Sequence, residues 1–145
     1  MLNDHSLHIL LVDDDVTDRE LFIDAIRLAG KKYNVSEASN GEEAIRFLND
    51  TSRLPDLIIL DLNMPIKDGR TTLKEIKAHE VFRSIPVCIM STSSANFDVT
   101  NAYDSGANIF LVKPLDFKEL IEMLGSLLTL FSKYVTLANK ATSHR

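Results

Sequence analysis

Four short runs of almost unbroken apolar residues constrain this chain most: His8–Val12, Leu57–Leu60, Pro86–Met90 and Asn108–Val112. Each is too short for a buried helix and lacks the alternation of a half-exposed strand. Each therefore reads as a strand covered on both faces, as in a parallel sheet. A fifth stretch, Asn34–Ala38, alternates and fits a sheet edge. Between them lie stretches of helical period. Val16–Ala29 carries Leu21, Phe22, Ala25, Ile26 and Ala29 on one stripe and meets Gly30, which can stop it. Gly41–Asp50 follows Asn40, with Glu43 three residues on, a capping box. Arg70–Ala78 and Ala95–Asp104 follow, and a last helix begins at Asp116 with Glu119 as a second box. Strict alternation of strand and helix predicts an α/β fold, a doubly wound parallel sheet with helices on both faces.

The apolar runs end on chemistry. The first runs into Asp13, Asp14 and Asp15, and the second into Asp61. The third ends at Ser91 and Thr92, and the fourth at Lys113-Pro114. In an open parallel sheet, ligands collect at the carboxyl ends of the strands, where the strand order reverses. Carboxylates converging there repel one another, which a hard divalent cation relieves. Acids, a hydroxyl and a lysine at one sheet edge suit phosphoryl transfer: one carboxylate attacks, and the cation and lysine oppose the phosphoryl charge.

A length of 145 residues suits one domain, and a formal net charge of -5 disfavours broad nucleic-acid binding. No run reaches the ~20 apolar residues of a membrane span, and the first residues lack the pattern of a signal peptide. A cytoplasmic protein is expected, with the single Cys88 as a small core hydrophobe. The scattered histidines His5, His8, His79 and His144 lack metal-ligand spacing and read as surface or loop groups. Leu120, Leu124, Leu127, Phe131, Tyr134 and Ala138 make a heptad-like stripe on the last helix. The stripe fits a core-facing helix with a frayed end, or an extended helix that pairs with a second copy as a homodimer. Ser132–Arg145 carries Lys133, Lys140 and Arg145 and no acid, and reads as a solvated tail.

These strand-end motifs resemble the receiver domain of two-component response regulators, of the chemotaxis-regulator type, from about Leu7 to Phe131. The motifs are Leu11-Val12-Asp13-Asp14, Asp61-Leu62-Asn63-Met64-Pro65 with Asp68-Gly69, Ser91 after an apolar strand, and Val112-Lys113-Pro114. The resemblance implies a flavodoxin-like (βα)5 fold with strand order 2-1-3-4-5. It implies a receiver over residues 1–131, a C-terminal extension over 132–145, and a stand-alone regulator without an output domain. Asp61 would be the phosphoacceptor for a sensor histidine kinase. Asp14, Asp61 and the Asn63 backbone carbonyl would bind Mg2+ or Mn2+, with Asp13 acting through a water. Lys113 would pair with the phosphoryl group, with its bond to Pro114 cis. Ser91, or Thr92 if the register slips by one, would move to the phosphoryl group, and Phe110 would turn inward behind it. Phe110 stands where tyrosine is common, and Asp15 reads as a first-turn helix acid. Asn63 and Ser93 would tune hydrolysis, and neither is a general base, so a long-lived acyl phosphate is expected. The 61–70 segment and the long His79–Ile85 connection resemble regulators paired with phytochrome-type kinases. A downstream protein target or a histidine phosphotransfer protein would receive the signal.

An enzyme reading competes. Asp13-Asp14-Asp15-Val16-Thr17 matches the Asp-x-Asp-x-Thr motif of haloacid-dehalogenase-type phosphatases, with Asp13 as nucleophile and Asp15 as acid/base. The chain lacks a late acidic pair after the lysine, and Asp61 and Met64-Pro65 would go unexplained. A nucleotide-binding fold is disfavoured because no Gly-rich loop follows the first strand.

Overall fold

The computed structural model describes residues 6–30 and 33–138. Five strands, β1 (His8–Val12), β2 (Asn34–Ala38), β3 (Leu57–Leu60), β4 (Val87–Ser91) and β5 (Ile109–Val112), alternate with five helices. The helices are α1 (Val16–Leu28), α2 (Gly41–Asp50), α3 (Gly69–Ala78), α4 (Asn96–Asp104) and α5 (Phe117–Thr129). All strand pairs are parallel, in the order β2-β1-β3-β4-β5. This is the flavodoxin-like order, and the switch point lies between β1 and β3.

Side chains alternate across a strand, so the apolar runs divide between two cores. Leu10, Val12, Ile58, Leu60, Val87 and Ile89 face α2, α3 and α4 through Ala44, Leu48, Leu73, Ile76 and Ala102. Ile9, Leu11, Leu57, Ile59, Cys88 and Met90 face α1 and α5 through Phe22, Ala25, Ile26, Leu120, Leu124 and Leu128. Cys88 is fully buried there, and burial pushes its thiol up to about 12, so it behaves as a core hydrophobe.

Several expectations need correction. β4 starts at Val87 because Pro86 has no N–H; its carbonyl still accepts from the Ile58 N–H at 3.0 Å. β5 starts at Ile109, because the Asn108 side chain turns to accept from the Val87 N–H at 2.9 Å. Leu21 is exposed rather than part of the α1 stripe. Asn40 caps α2 through the Glu43 N–H, but the Glu43 carboxylate reaches the Ser39 N–H instead of closing a box on Asn40. His8 is no surface histidine. It is buried, its Nε2 lies 2.9 Å from Ser36 Oγ, and burial, then Arg53, lowers its pKa.

The last helix also departs from the expected stripe. After Thr129 the chain makes one π-helical turn, Leu130–Tyr134, closed by the Val135 N–H to the Leu130 carbonyl at 3.0 Å. A π turn holds more residues than an α turn, so it rotates Tyr134 out of the stripe and into solvent. Phe131 and Leu137 instead bury against the α1/α5 core, joined by Val135. The straight helix to Ala138 is not formed; Ser132, Lys133, Tyr134 and Thr136 are solvated, while Leu137 is anchored in the core. His5, Lys140, His144 and Arg145 lie outside the described residues.

Gly69 fixes the start of α3 against the end of β3. Its N–H donates to the Leu62 carbonyl at 2.9 Å. A Cβ there would strike the Asp61 carbonyl oxygen and lie 2.6 Å from Leu62 Cα, both of them backbone. Gly69→Ala should therefore cost at least about 2 kcal/mol in denaturant unfolding. An unchanged midpoint would mean that α3 can back away from β3 freely.

Candidate functional site

The strand ends are tied to one another through the backbone. The Asp13 N–H donates to the Ala38 carbonyl at 3.1 Å, and the Asp61 N–H to the Val12 carbonyl at 3.0 Å. The Lys113 N–H donates to the Ser91 carbonyl at 2.7 Å. These bonds set the side chains that follow β1, β3 and β5 along one sheet edge. Carboxylate oxygens of Asp13, Asp14 and Asp61 lie within 4.8 Å of one another. Asp13 is buried, Asp61 is half-buried and Asp14 is exposed.

Three acids this close cannot all ionise without strain. Asp61 is pushed up to about 6, first by burial and then by the Asp13 charge, against the pull of Lys113 and the Asn63 N–H. Asp13 is raised too, mainly by burial, and is held back by the Asp15 N–H and Lys113. Burial pulls Lys113 down, but Asp13, Asp61 and Asp18 outweigh it and hold the ammonium above its usual value. The three carboxylates offer hard oxygen ligands on one side and an open approach through Asp14, a donor set that fits a divalent cation.

The other expected residues fall as follows. Lys113 Nζ lies 3.4 Å from Asp13 Oδ2 and 3.4 Å from Asp18 Oδ2. The Lys113–Pro114 bond is trans, against expectation, because no described peptide bond is cis. Trans is the lower-energy isomer even before proline, by about 0.5–1 kcal/mol. Ser91 is the last residue of β4, fully buried, and its Oγ accepts from the Ser93 N–H at 3.1 Å. Thr92, the next residue, is exposed. Phe110 is half-buried against the α2/α3/α4 core, and its N–H donates to the Tyr103 hydroxyl at 3.0 Å. Asn63 is exposed and donates its N–H to Asp61 Oδ1 at 3.4 Å. Asp15 is the N-cap of α1, accepting from the Thr17 and Asp18 N–H groups. Both bonds fall on Asp15 Oδ1, so one oxygen of the carboxylate that a phosphatase reading would use as acid/base serves the cap.

Three contacts were not foreseen. Asp18 shares Lys113 with Asp13. Arg19 donates to the Asp13 carbonyl at 2.6 Å and pairs with Glu37 at 3.0 Å. Ser93 Oγ donates to Asp98, which pairs with Arg70 at 2.8 Å. The sequence signal for the first two was their place in the opening turn of the helix that follows the acids, but the direction of a side chain on that turn is not legible in a pattern.

Residues 9–125 match the response regulator receiver domain. The chain belongs to this family. Response regulator Rcp1 of Synechocystis sp. is 34% identical over 134 residues, covering 89% of this chain and 91% of Rcp1. Transcriptional regulatory protein PrrA of Mycobacterium leprae is 37% identical over 123 residues, and the match covers 50% of its length. Among solved structures, the phosphorylated cyanobacterial phytochrome response regulator RcpA superposes with TM-score 0.85 at 31% identity, covering 92% of this chain and 99% of that one. The Mn(2+)-bound form of Rcp1 superposes with TM-score 0.81 at 33% identity, covering 90% of this chain and 98% of that one. The receiver is a phosphoacceptor of a two-component phosphorelay, phosphorylated on an aspartate by a partner histidine kinase. Among the described residues no helix is long and apolar enough to cross a membrane.

The strain on Asp61 is measurable. The unfolded chain holds it near 3.8, and folding lifts it to about 6. The folded state therefore binds the extra proton between those values. Stability from this group is complete below 3.8 and is lost as pH rises through about 6. Asp61→Asn should stabilise the metal-free protein at pH 7 by roughly 1–2 kcal/mol, solvent screening of a half-buried group reducing the full effect of the shift. Thermal unfolding in chelator should show a raised Tm, with the gap closing as pH falls toward 3.8. An equal or lower Tm at pH 7 would contradict this electrostatic reading.

Proposed function

We propose that Asp61 is the phosphoacceptor, and that Asp13, Asp14 and Asp61 hold a magnesium ion, for which manganese can substitute. The observation that carries this is the meeting of three carboxylates within 4.8 Å, beside Lys113, at the ends of strands β1, β3 and β5. Asp61 sits at the switch point with its backbone fixed by Val12 and its carboxylate half-buried among charges. A bound cation would neutralise the acids and the incoming phosphoryl oxygens. One Asp61 oxygen then forms the bond to phosphorus as the bond to the kinase histidine nitrogen breaks, and the imidazole, already protonated on its other ring nitrogen, leaves neutral. Asp14 and the Asn63 carbonyl complete the cation's protein ligands in this reading, with Asp13 acting through a water.

Lys113 and Ser91 answer the new charge. The buried Ser91 hydroxyl and the Lys113 ammonium are on strand ends joined by a 2.7 Å backbone bond, so movement of one is felt by the other. Phe110, paired in register with Ile89 on β4, packs against the α2/α3/α4 core and would follow. The signal then leaves through altered protein contacts on α4, β5 and α5, to a downstream protein or a histidine phosphotransfer protein. The similarity to Rcp1 and RcpA supports a phytochrome-type kinase as the donor and the cytoplasm as the place.

Hydrolysis should be slow. Asn63 and Ser93 carry no base, and the Ser93 hydroxyl is already committed to Asp98 at 2.8 Å. Acetyl phosphate with magnesium, followed by borohydride trapping and peptide mapping, should mark Asp61, and the acyl phosphate should outlast seconds at room temperature. Label on Asp13, or loss within seconds, would contradict the respective claim.

A further inference from the structure

Lys113 has a partner that phosphoacceptor chemistry does not require. Among the described residues its ion pairs are with Asp13 and Asp18, each at 3.4 Å, and not with Asp61. The ammonium also stands 5.6 Å from the centroid of the Phe22 ring. Asp18 and Phe22 are four residues apart, hence on one face of α1, and together they make a seat for the charge. The seat is rigid. The Asp18 N–H donates to the N-cap Asp15 at 3.3 Å, and the Asp15 N–H donates to Asp13 Oδ1 at 2.9 Å. The lysine side chain is 15% exposed and that of Asp18 is 39% exposed. A first-turn acid that merely favoured the helix dipole would have no reason to face the one lysine of the site.

We propose that Asp18 is a positioning residue: it seats Lys113 on α1 in the unphosphorylated protein and sets the cost of swinging the ammonium to a phosphoryl group on Asp61. The proposal rests on Asp61 being the phosphoacceptor. Phosphorylation raises the charge at Asp61 toward two negative units and adds three acceptor oxygens, which outbids Asp18 for the lysine. Asp13 belongs to the same acid cluster as Asp61, so the lysine can turn toward Asp61 without leaving Asp13, and Asp18 is the partner exchanged. Partly exposed ion pairs change an equilibrium by up to about fivefold, so the hold is adjustable rather than absolute.

The test is a titration with fluoroberyllate and magnesium, a phosphoryl mimic that needs no kinase. Asp18→Asn should bind it about threefold more tightly than the unsubstituted protein, and Asp18→Glu, which keeps the charge, should stay within about twofold. In a Lys113→Gln background, Asp18→Asn should change the affinity by less than about 1.5-fold. An equal gain with and without the lysine would mean a general charge effect and would overturn the proposal, as would no gain in either. A second readout needs no variant: the Asp18 carboxyl carbon resonance should shift when the mimic binds, and an unmoved resonance would also overturn it. Peptide mapping of the acetyl-phosphate label runs alongside. Label away from Asp61 would sink the phosphoacceptor reading itself, whereas label on Asp61 with no lysine-dependent effect sinks the Asp18 proposal alone.

Discussion

Loss of water around charge, where three carboxylates meet at the switch point of the sheet, is the constraint on which the site depends. Asp13, Asp14 and Asp61 sit within 4.8 Å of one another, and one lysine is set beside them. Burial is the larger cost because it removes water, repulsion between the acids adds to it, and Lys113 offsets part of the charge. The result is an Asp61 carboxyl pushed up to about 6, a strain that the proposed cation would relieve. A site at rest in low energy would have less to gain from a cation.

The rest of the fold keeps these groups from relaxing apart. Backbone bonds from Asp13 to Ala38, from Asp61 to Val12 and from Lys113 to Ser91 lock the loop residues to the strands. Gly69 lets α3 start against the Asp61 carbonyl. Asp15 caps α1 and so fixes Asp18 and Phe22 under the lysine. The two cores on either side of the sheet hold those anchors in place. The strain is thus local, and the buried strands bear it.

Much of this was legible in the residues. Continuous apolar runs at His8–Val12 and Leu57–Leu60 dictated parallel strands, and the acids after them marked the edge. Alternation in Asn34–Ala38 placed it at the edge, where it lies. The less legible parts depend on three-dimensional partners. His8 is buried because Ser36 and Phe47 on neighbouring elements enclose it, which no spacing reveals. The stripe through Tyr134 broke because a π turn lets Leu137 reach the core. The lysine's seat on Asp18 depends on which way one helix turn faces, and the trans bond to Pro114 on a local balance of energies.

The most direct test of the account is a pH titration of the Asp61 carboxyl carbon by NMR, without and with magnesium. A midpoint at about 6 is expected in metal-free buffer, moving down by at least about one unit when saturating magnesium neutralises the cluster. A midpoint near the ordinary 3.8 that magnesium leaves unmoved would contradict it.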